Sequence, residues 1–121
     1  MKKNIVIVED EENIARAQEL ILSEQFIVHV AKDGESGLAK IKEIKPDLVV
    51  LDLMLPKMNG IDICKEIKSN VDLKDIKVVM VTAKNRPADE LKGLDTGADD
   101  YIMKPFEADE LKHVINQILN S

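Results

Sequence analysis

The sequence predicts an α/β domain of the (βα)5 type, a doubly wound five-stranded parallel sheet with helices on both faces. Short apolar runs rich in β-branched residues recur along the chain and are typical of strands buried on both faces. Each run is followed by a segment whose apolar residues recur at helical spacing. Strict alternation of strands and helices requires right-handed crossovers, and these produce a parallel sheet.

The composition indicates one globular domain spanning residues 1–121. Hydrophobic residues make up 45% of the chain and charged residues 33%, which is typical of a protein with a packed core. The net charge is -6 without a basic stripe, which argues against direct nucleic-acid binding by this chain. One cysteine, Cys64, allows neither an intramolecular disulfide nor a zinc set. Because no apolar run is long enough for a signal or membrane-spanning segment, we expect a cytoplasmic protein without membrane contact.

The first half of the chain predicts three strands and two helices. The strands are residues 5–8, 26–31 and 48–52. The first helix follows the acidic segment 9–12, with Asp10 as its candidate N-cap. Pro46 ends the second helix and leads into the third strand. The helical spacing of the first helix starts at Ile14 and continues through Ala17, Leu20 and Ile21. The predicted inner face of the second helix is Leu38, Ile41 and Ile44.

The second half of the chain predicts two further strands and three helices. The strands are residues 78–81 and 101–103, and the helices are residues 60–69, 87–95 and 107–119. Cys64 lies on the inner face of its helix and is predicted to be a core residue, like Met80 and Met103 within their strands. The helix at 87–95 has the weakest apolar pattern of the five.

Polar side chains occur where four of the five predicted strands end. Glu9 and Asp10 follow the first strand, and Asp52 ends the third. Thr82 follows the fourth strand and Lys104 the fifth. Because parallel strands point their carboxyl ends at one edge of the sheet, we expect these groups to converge there. Three carboxylates in one place repel unless cations accompany them, and an oxygen-only ligand set suits Mg²⁺ beside the lysine.

This set of groups fits phosphoryl transfer to Asp52, a reaction that depends mainly on positioning and charge neutralisation. Asp52 is the candidate nucleophile and would form an aspartyl phosphate. The Thr82 hydroxyl and the Lys104 ammonium would each contact a phosphoryl oxygen. Lys104 precedes Pro105, and an X–Pro bond can be cis at low cost, which would aim the lysine inward.

Four motifs occur in the order and spacing of a known family. They are IVIVEDE at residues 5–11, DLVVLDLMLPKMNG at 47–60, VVMVTA at 78–83 and GADDYIMKPF at 97–106. Together they resemble the receiver domains of two-component response regulators, and the likeness covers nearly the whole chain. The resemblance implies the flavodoxin-like fold of chemotaxis-type receivers, with strand order 2-1-3-4-5.

The resemblance implies a role for each group of the acidic site. Asp52 resembles the phosphoacceptor, which takes its phosphoryl group from a sensor histidine kinase, a phosphotransfer protein or a small phosphodonor. Asp10 resembles a direct Mg²⁺ ligand, and Glu9 one that reaches the ion through water. The backbone carbonyl of Met54 would complete the protein ligands.

The resemblance also implies a switch. Thr82 and Tyr101 are similar to the pair in which the hydroxyl moves onto the phosphoryl group and the aromatic ring turns inward, while Lys104 resembles the phosphate-pairing lysine. The output surface would be formed by the fourth predicted helix, the fifth strand and the last helix. Its partners would be an effector protein, a fused effector domain or a second phosphorylated copy. Such a domain is a signalling switch rather than an enzyme, with only its own Mg²⁺-dependent phosphorylation and slow autodephosphorylation.

Two other classes remain as alternatives. A haloacid-dehalogenase-like phosphatase also phosphorylates a strand-end aspartate, but it needs a second acid two residues later, where this chain has Met54. A flavodoxin-like binding module needs a loop that cradles phosphate, and the acidic, glycine-free loop after residues 5–8 would repel one. Both a stand-alone regulator and a receiver from a longer protein fit the sequence.

Overall fold

A parallel five-stranded sheet in the order β2-β1-β3-β4-β5 forms the centre of the protein. The computed structural model describes residues 2–53, 55, 57–82 and 97–120. The strands are β1 (Asn4–Val8), β2 (Ile27–Ala31), β3 (Leu48–Asp52), β4 (Lys77–Thr82) and β5 (Asp100–Met103). The described helices are α1 (Glu12–Leu22), α2 (Gly34–Ile44), α3 (Gly60–Ser69) and α4 (Ala108–Leu119). The predicted fold class and strand order are confirmed, whereas the helix predicted at 87–95 lies outside the described residues.

The central strand β3 divides an aliphatic core into two parts, one on each face of the sheet. All five of its residues are buried, and it pairs in parallel with β1 and β4. Val49 and Leu51 pack in the core beneath α2 and α3, while Leu48 and Val50 pack in the core beneath α1 and α4. Because successive side chains of a strand point to opposite faces, a continuous apolar run serves both cores.

The predicted core residues are correct in the middle of the sheet and wrong at its edge. Cys64 of α3 and Met80 of β4 are fully buried, as predicted. Met103 is 42% exposed, so its assignment to the core was wrong. The reason is the position of β5, which ends the sheet and has a strand neighbour, β4, on one side.

The buried face of α1 includes a polar residue. The helix buries Ala15, Gln18 and Leu22, whereas Leu20 is 69% exposed. Ile21 packs against the core beneath α1 and α4. The helical spacing of apolar residues predicted the helix itself and did not predict the burial of Gln18.

Helix caps fix the start of α2 and α3 but not of α1. The Asp33 carboxylate accepts a hydrogen bond of 2.8 Å from the Ser36 amide at the start of α2. The Asn59 side chain accepts one of 2.9 Å from the Asp62 amide at the start of α3. Asp10 lies too early to cap α1, which makes no side-chain cap hydrogen bond, so that prediction was also wrong. Among the described helices, none combines the length and the apolar character needed to cross a membrane.

The buried amide of Gln18 lowers the stability of the fold. Its side chain is 2% exposed, and neither of its polar atoms has a hydrogen-bond partner among the described residues. A buried amide without partners costs about 1–3 kcal/mol. We therefore expect Gln18→Leu to raise the free energy of unfolding by about 1–2 kcal/mol, measured by urea denaturation.

The matched control is Gln117→Leu, the same change at an exposed position of α4, which should alter the free energy of unfolding by less than about 0.5 kcal/mol. A loss of stability in Gln18→Leu would show instead that the amide is paired, for example with a buried water molecule.

Candidate functional site

Four polar side chains meet at the carboxyl edge of the sheet. Glu9 follows β1, Asp52 ends β3, Thr82 ends β4 and Lys104 follows β5. Glu9 is 2% exposed, Asp52 7% and Thr82 2%. Asp10, the next residue after Glu9, is exposed. The structure thus places the predicted groups side by side in a mostly buried position.

Backbone hydrogen bonds extend the sheet one residue past several strand ends. They hold the backbone from which the side chains of the site project. The Leu53 amide donates to the Val81 carbonyl at 2.8 Å, and the Lys104 amide donates to the Thr82 carbonyl at 2.7 Å. The Glu9 amide donates in the same way to the carbonyl of Ala31, the last residue of β2. Because the backbone is held on both sides, the site is built on the sheet itself rather than on free loops.

The segment after Asp52 returns tightly against the end of β3. The Gly60 amide donates to the Leu53 carbonyl at 3.0 Å. A Cβ atom on Gly60 would overlap the backbone carbonyl oxygen of Asp52. This close approach explains the glycine in the motif, since a larger residue would displace the backbone of the central aspartate. Met54, predicted to offer its carbonyl to a metal, lies outside the described residues.

The Lys104 ammonium lies between two carboxylates. Its Nζ atom is 2.8 Å from Oε1 of Glu9 and 3.0 Å from Oδ2 of Asp52. The lysine side chain is 25% exposed, so both ion pairs are largely shielded from water. The Lys104–Pro105 peptide bond is cis. The ammonium therefore compensates negative charge that the sheet edge brings together.

Burial and charge shift two pKa values in the site. Burial raises the pKa of Glu9 from 4.5 to about 7, with the Asp52 carboxylate adding to the rise, while hydrogen bonds from Lys104 and the Glu11 amide oppose it. Burial alone would lower the pKa of Lys104, but its hydrogen bonds to Glu9 and Asp52 outweigh burial and raise it above 10.5. Lys104 thus stays charged at neutral pH, and the raised pKa of Glu9 brings its titration close to that range.

The acidic residues fit a divalent metal ion. Glu9, Asp10 and Asp52 each offer one carboxylate oxygen, and these oxygens lie within 4.8 Å of one another. Hard oxygen ligands of this kind suit Mg²⁺ and similar cations. When all three acids are ionised, Lys104 offsets one of three negative charges, and the remaining two match a divalent cation. The cluster could therefore hold a metal.

The Thr82 hydroxyl is buried at the end of β4. Its Oγ1 atom is buried and has no hydrogen-bond partner among the described residues. An unpaired buried hydroxyl is costly, and an incoming group with acceptor oxygens would satisfy it. Tyr101 lies on the neighbouring strand, two residues before Met103, the register partner of Thr82. Its half-buried ring packs against the core beneath α2 and α3.

Two features of the site were missed in the sequence. One is the ion pair between Glu9 and Lys104, because the motif indicated only that both residues lie at the same edge. The other is the hydrogen bond of 3.2 Å from the Glu11 amide to Oε2 of Glu9, which turns the acidic segment back on itself. A long glutamate side chain, rather than an aspartate, was the one available signal for the first contact.

Comparison with known proteins identifies a family with these motifs. The family described as the response regulator receiver domain matches this chain over residues 5–116. The response regulator ArlR of Staphylococcus epidermidis is 45% identical over 117 residues, covering 96% of this chain and 52% of that protein. The DNA-binding response regulator MtrA of Mycolicibacterium paratuberculosis is 44% identical over 112 residues, covering 92% of this chain and 48% of that protein.

A solved structure has the same fold over its full length. A putative response regulator from Chloroflexus aurantiacus superimposes with a TM-score of 0.91 at 31% identity, and the match covers 100% of both chains. The curated relatives are longer, and the chain spans about half the length of those it matches.

The raised pKa of Glu9 predicts a pH-dependent stability of the metal-free protein. Folding takes up a proton between the ordinary value of 4.5 and the folded value of about 7. The protonated Glu9 carboxyl contributes its full stability below pH 4.5, the ordinary pKa. This contribution is lost as the pH rises through the folded pKa of about 7. A pKa shift of this size corresponds to about 3 kcal/mol in the free energy of unfolding, and solvent screening reduces the expected effect to about 1–2 kcal/mol.

The measurement is the urea unfolding free energy from pH 5 to pH 8 in a metal chelator, for the wild type and Glu9→Gln. The wild type should lose about 1–2 kcal/mol relative to the variant across that range, and excess Mg²⁺ should restore it by binding the folded state. Parallel pH profiles for the two proteins would contradict the pKa shift.

Proposed function

The chain belongs to the family of response regulator receiver domains of two-component systems, and on this basis we propose that Asp52 accepts a phosphoryl group from a histidine kinase. One observation carries this proposal most directly. The Asp52 carboxylate is buried, lies 3.0 Å from the Lys104 ammonium and is grouped with two further acids. A buried aspartate with a fixed cation and candidate metal ligands is placed for charge-compensated chemistry.

In the proposed reaction an oxygen of Asp52 attacks the phosphorus of a phosphohistidine. The bond from phosphorus to the imidazole nitrogen breaks, its electron pair returns to the ring, and an aspartyl phosphate forms. Lys104 neutralises charge on the phosphoryl oxygens, and the Thr82 hydroxyl donates to another of them. Glu9, Asp10 and Asp52, with the Met54 carbonyl, would hold Mg²⁺, and a bound ion would supply the remaining positive charge. Phosphotransfer proteins and small acyl phosphates would serve as donors in the same way.

The proposed product is a lasting signal rather than a step in rapid hydrolysis. Fast turnover needs an acid two residues after the phosphorylated aspartate to activate water, and methionine occupies that position here. The domain therefore acts as a switch with slow autodephosphorylation. This distinguishes it from a phosphatase of the haloacid dehalogenase type, which is the alternative with the same covalent product.

For the output, we propose that Thr82 moves onto the phosphoryl group and Tyr101 turns inward behind it. The surface that responds would include β5 and α4 together with the helix predicted at 87–95. Relatives named as DNA-binding response regulators are about twice as long as this chain. We infer that the receiver signals to an effector protein, a fused effector domain or a second copy of itself, in the cytoplasm, and that any DNA contact belongs to the effector.

The proposed phosphorylation is tested with acetyl phosphate and Mg²⁺, followed by intact-mass analysis. The wild type should gain one phosphoryl group and Asp52→Asn none, because an amide is not a nucleophile for this reaction. The matched control is Asp75→Asn, the same change at an exposed position before β4, at the opposite edge of the sheet, which should be phosphorylated like the wild type. A wild type without the adduct, or an equal adduct on Asp52→Asn, would refute the proposal.

The proposed switch can be followed through a single side chain. The protein has one tyrosine, Tyr101, and no tryptophan, so its tyrosine fluorescence reports on that ring alone. Acetyl phosphate with Mg²⁺ should change this fluorescence in the wild type. Thr82→Ala should still be phosphorylated by mass, but its tyrosine signal should change by less than about a third as much, because the hydroxyl link is missing.

Thr82→Ser serves as the control, because it keeps the hydroxyl and should retain most of the response. A full fluorescence change in phosphorylated Thr82→Ala would show that Tyr101 responds without the threonine.

A further inference from the structure

Two aspartates brace the sheet at its amino edge, opposite the candidate site. Asp47 directly precedes β3, and Asp99 directly precedes β5. The Asp47 amide donates to the Asn4 carbonyl at 2.9 Å, and its Oδ2 atom accepts the Asn4 amide at 2.8 Å. Asp99 makes the same pair of bonds with Val78 of β4, at 2.9 Å and 2.8 Å. Each aspartate therefore fixes the start of one strand to a single residue of the neighbouring strand.

The Asp99 carboxylate is also tied to the end of α3. Its Oδ2 atom lies 2.9 Å from the Lys68 ammonium, which donates a further hydrogen bond of 2.8 Å to the Ile76 carbonyl. The Lys68 and Asp99 side chains are 22% and 25% exposed, so the pair is largely shielded from water. Gly97 has a φ of 79°, and a Cβ atom on it would lie 3.1 Å from Cγ of Lys68. A charge-assisted hydrogen bond thus joins the start of β5 to α3 as well as to β4.

The two braced strands differ in how much else fixes their register. All five residues of β3 are buried, and the strand pairs with β1 on one side and β4 on the other. Of the four residues of β5, Ile102 alone is buried, and within the described sheet the strand pairs with β4 on one side. Register is weakly specified where few side chains of a strand face a core. The register of β5 therefore depends on the contacts at its ends more than that of β3 does.

We propose that Asp99 is a positioning residue, which sets the register of β5 and thereby places Tyr101 and Lys104. The strand runs from Asp100 to Met103, so Asp99 lies before one end and Lys104 follows the other. A shift by one residue would exchange the faces of the sheet to which the side chains of β5 point. A carboxylate at the amino edge thus determines where the lysine lies at the carboxyl edge. The roles of Tyr101 and Lys104 rest on the proposed function, whereas the register of β5 does not.

The register can be read from nuclear Overhauser contacts between paired strands, which need no phosphodonor. In Asp99→Ala, the contacts between β4 and β5, such as that of Val81 with Ile102, should lose about half of their intensity or more. The matched control is Asp47→Ala, whose contacts between β3 and β4 should keep their wild-type intensity. A general loss of stability does not produce this difference, because each variant loses a carboxylate that accepts a backbone amide.

Two further variants separate the hydrogen bond from other effects of the substitution. Asp99→Asn keeps a side-chain oxygen that can accept the Val78 amide, so it should retain at least about three quarters of the contact intensity. Lys68→Met removes the ammonium but keeps an apolar stem, so it should lose about a quarter or more. Unchanged contacts in Asp99→Ala, an equal loss in Asp47→Ala, or no rescue by Asp99→Asn would overturn the proposal. Should Asp99→Ala fail to fold, unchanged contacts in Lys68→Met would overturn it as well.

The rate of phosphorylation tests the consequence for the site. With acetyl phosphate and Mg²⁺, Asp99→Ala should gain its phosphoryl group about fivefold more slowly than the wild type, because Lys104 is displaced. Asp47→Ala should react within about twofold of the wild-type rate. Equal rates in Asp99→Ala and the wild type would contradict the placement of Lys104 through β5. A wild type that gains no phosphoryl group would refute the proposed function, and the contacts measured without a phosphodonor would still decide the register.

Discussion

The ammonium of Lys104 lies within 3.0 Å of two buried carboxylates, and the rest of the site depends on that contact. A parallel sheet directs every strand end to one edge, so acidic side chains there come close whether or not their charges are compensated. Glu9 and Asp52 would repel in a poorly solvated position without a cation between them. The Lys104 ammonium, at ion-pair distance from both carboxylates, offsets part of this negative charge.

The sheet explains how several polar side chains can be grouped in a protein of 121 residues. Both faces of β3 are closed by aliphatic cores, so the polar groups are confined to the edge where the strands end. Backbone hydrogen bonds continue past those ends, and Gly60 lets the following segment approach Asp52 closely. The sheet therefore holds the backbone at the strand ends, and the buried Thr82 hydroxyl there has no hydrogen-bond partner among the described residues.

The fold class and the convergence of the site were predictable because both depend on local periodicity plus the parallel connection of strands. The strand order was predicted from the resemblance of the four motifs to receiver domains. Cys64 was assigned to the core from local periodicity, and it is fully buried. The burial of Gln18 in α1 was not predicted, since a buried polar residue breaks the link between hydrophobicity and burial. The prediction that Met103 is a core residue was wrong because β5 is the last strand of the described sheet and pairs with β4 on one side. The pairing of Glu9 with Lys104 joins residues 95 apart and depends on side-chain length and direction, which no sequence pattern encodes.

The central claim is that Asp52, and neither of the acids beside it, carries the phosphoryl group. Borohydride reduction of the protein treated with acetyl phosphate and Mg²⁺ tests this directly, because hydride reduces an acyl phosphate to an alcohol and so marks the phosphorylated residue. If Asp52 is the phosphorylated residue, reduction converts it to homoserine. Peptide sequencing by mass spectrometry should therefore find homoserine at position 52 and unmodified side chains at Glu9 and Asp10. Reduction at either of those two acids, or at none of the three, would contradict the account.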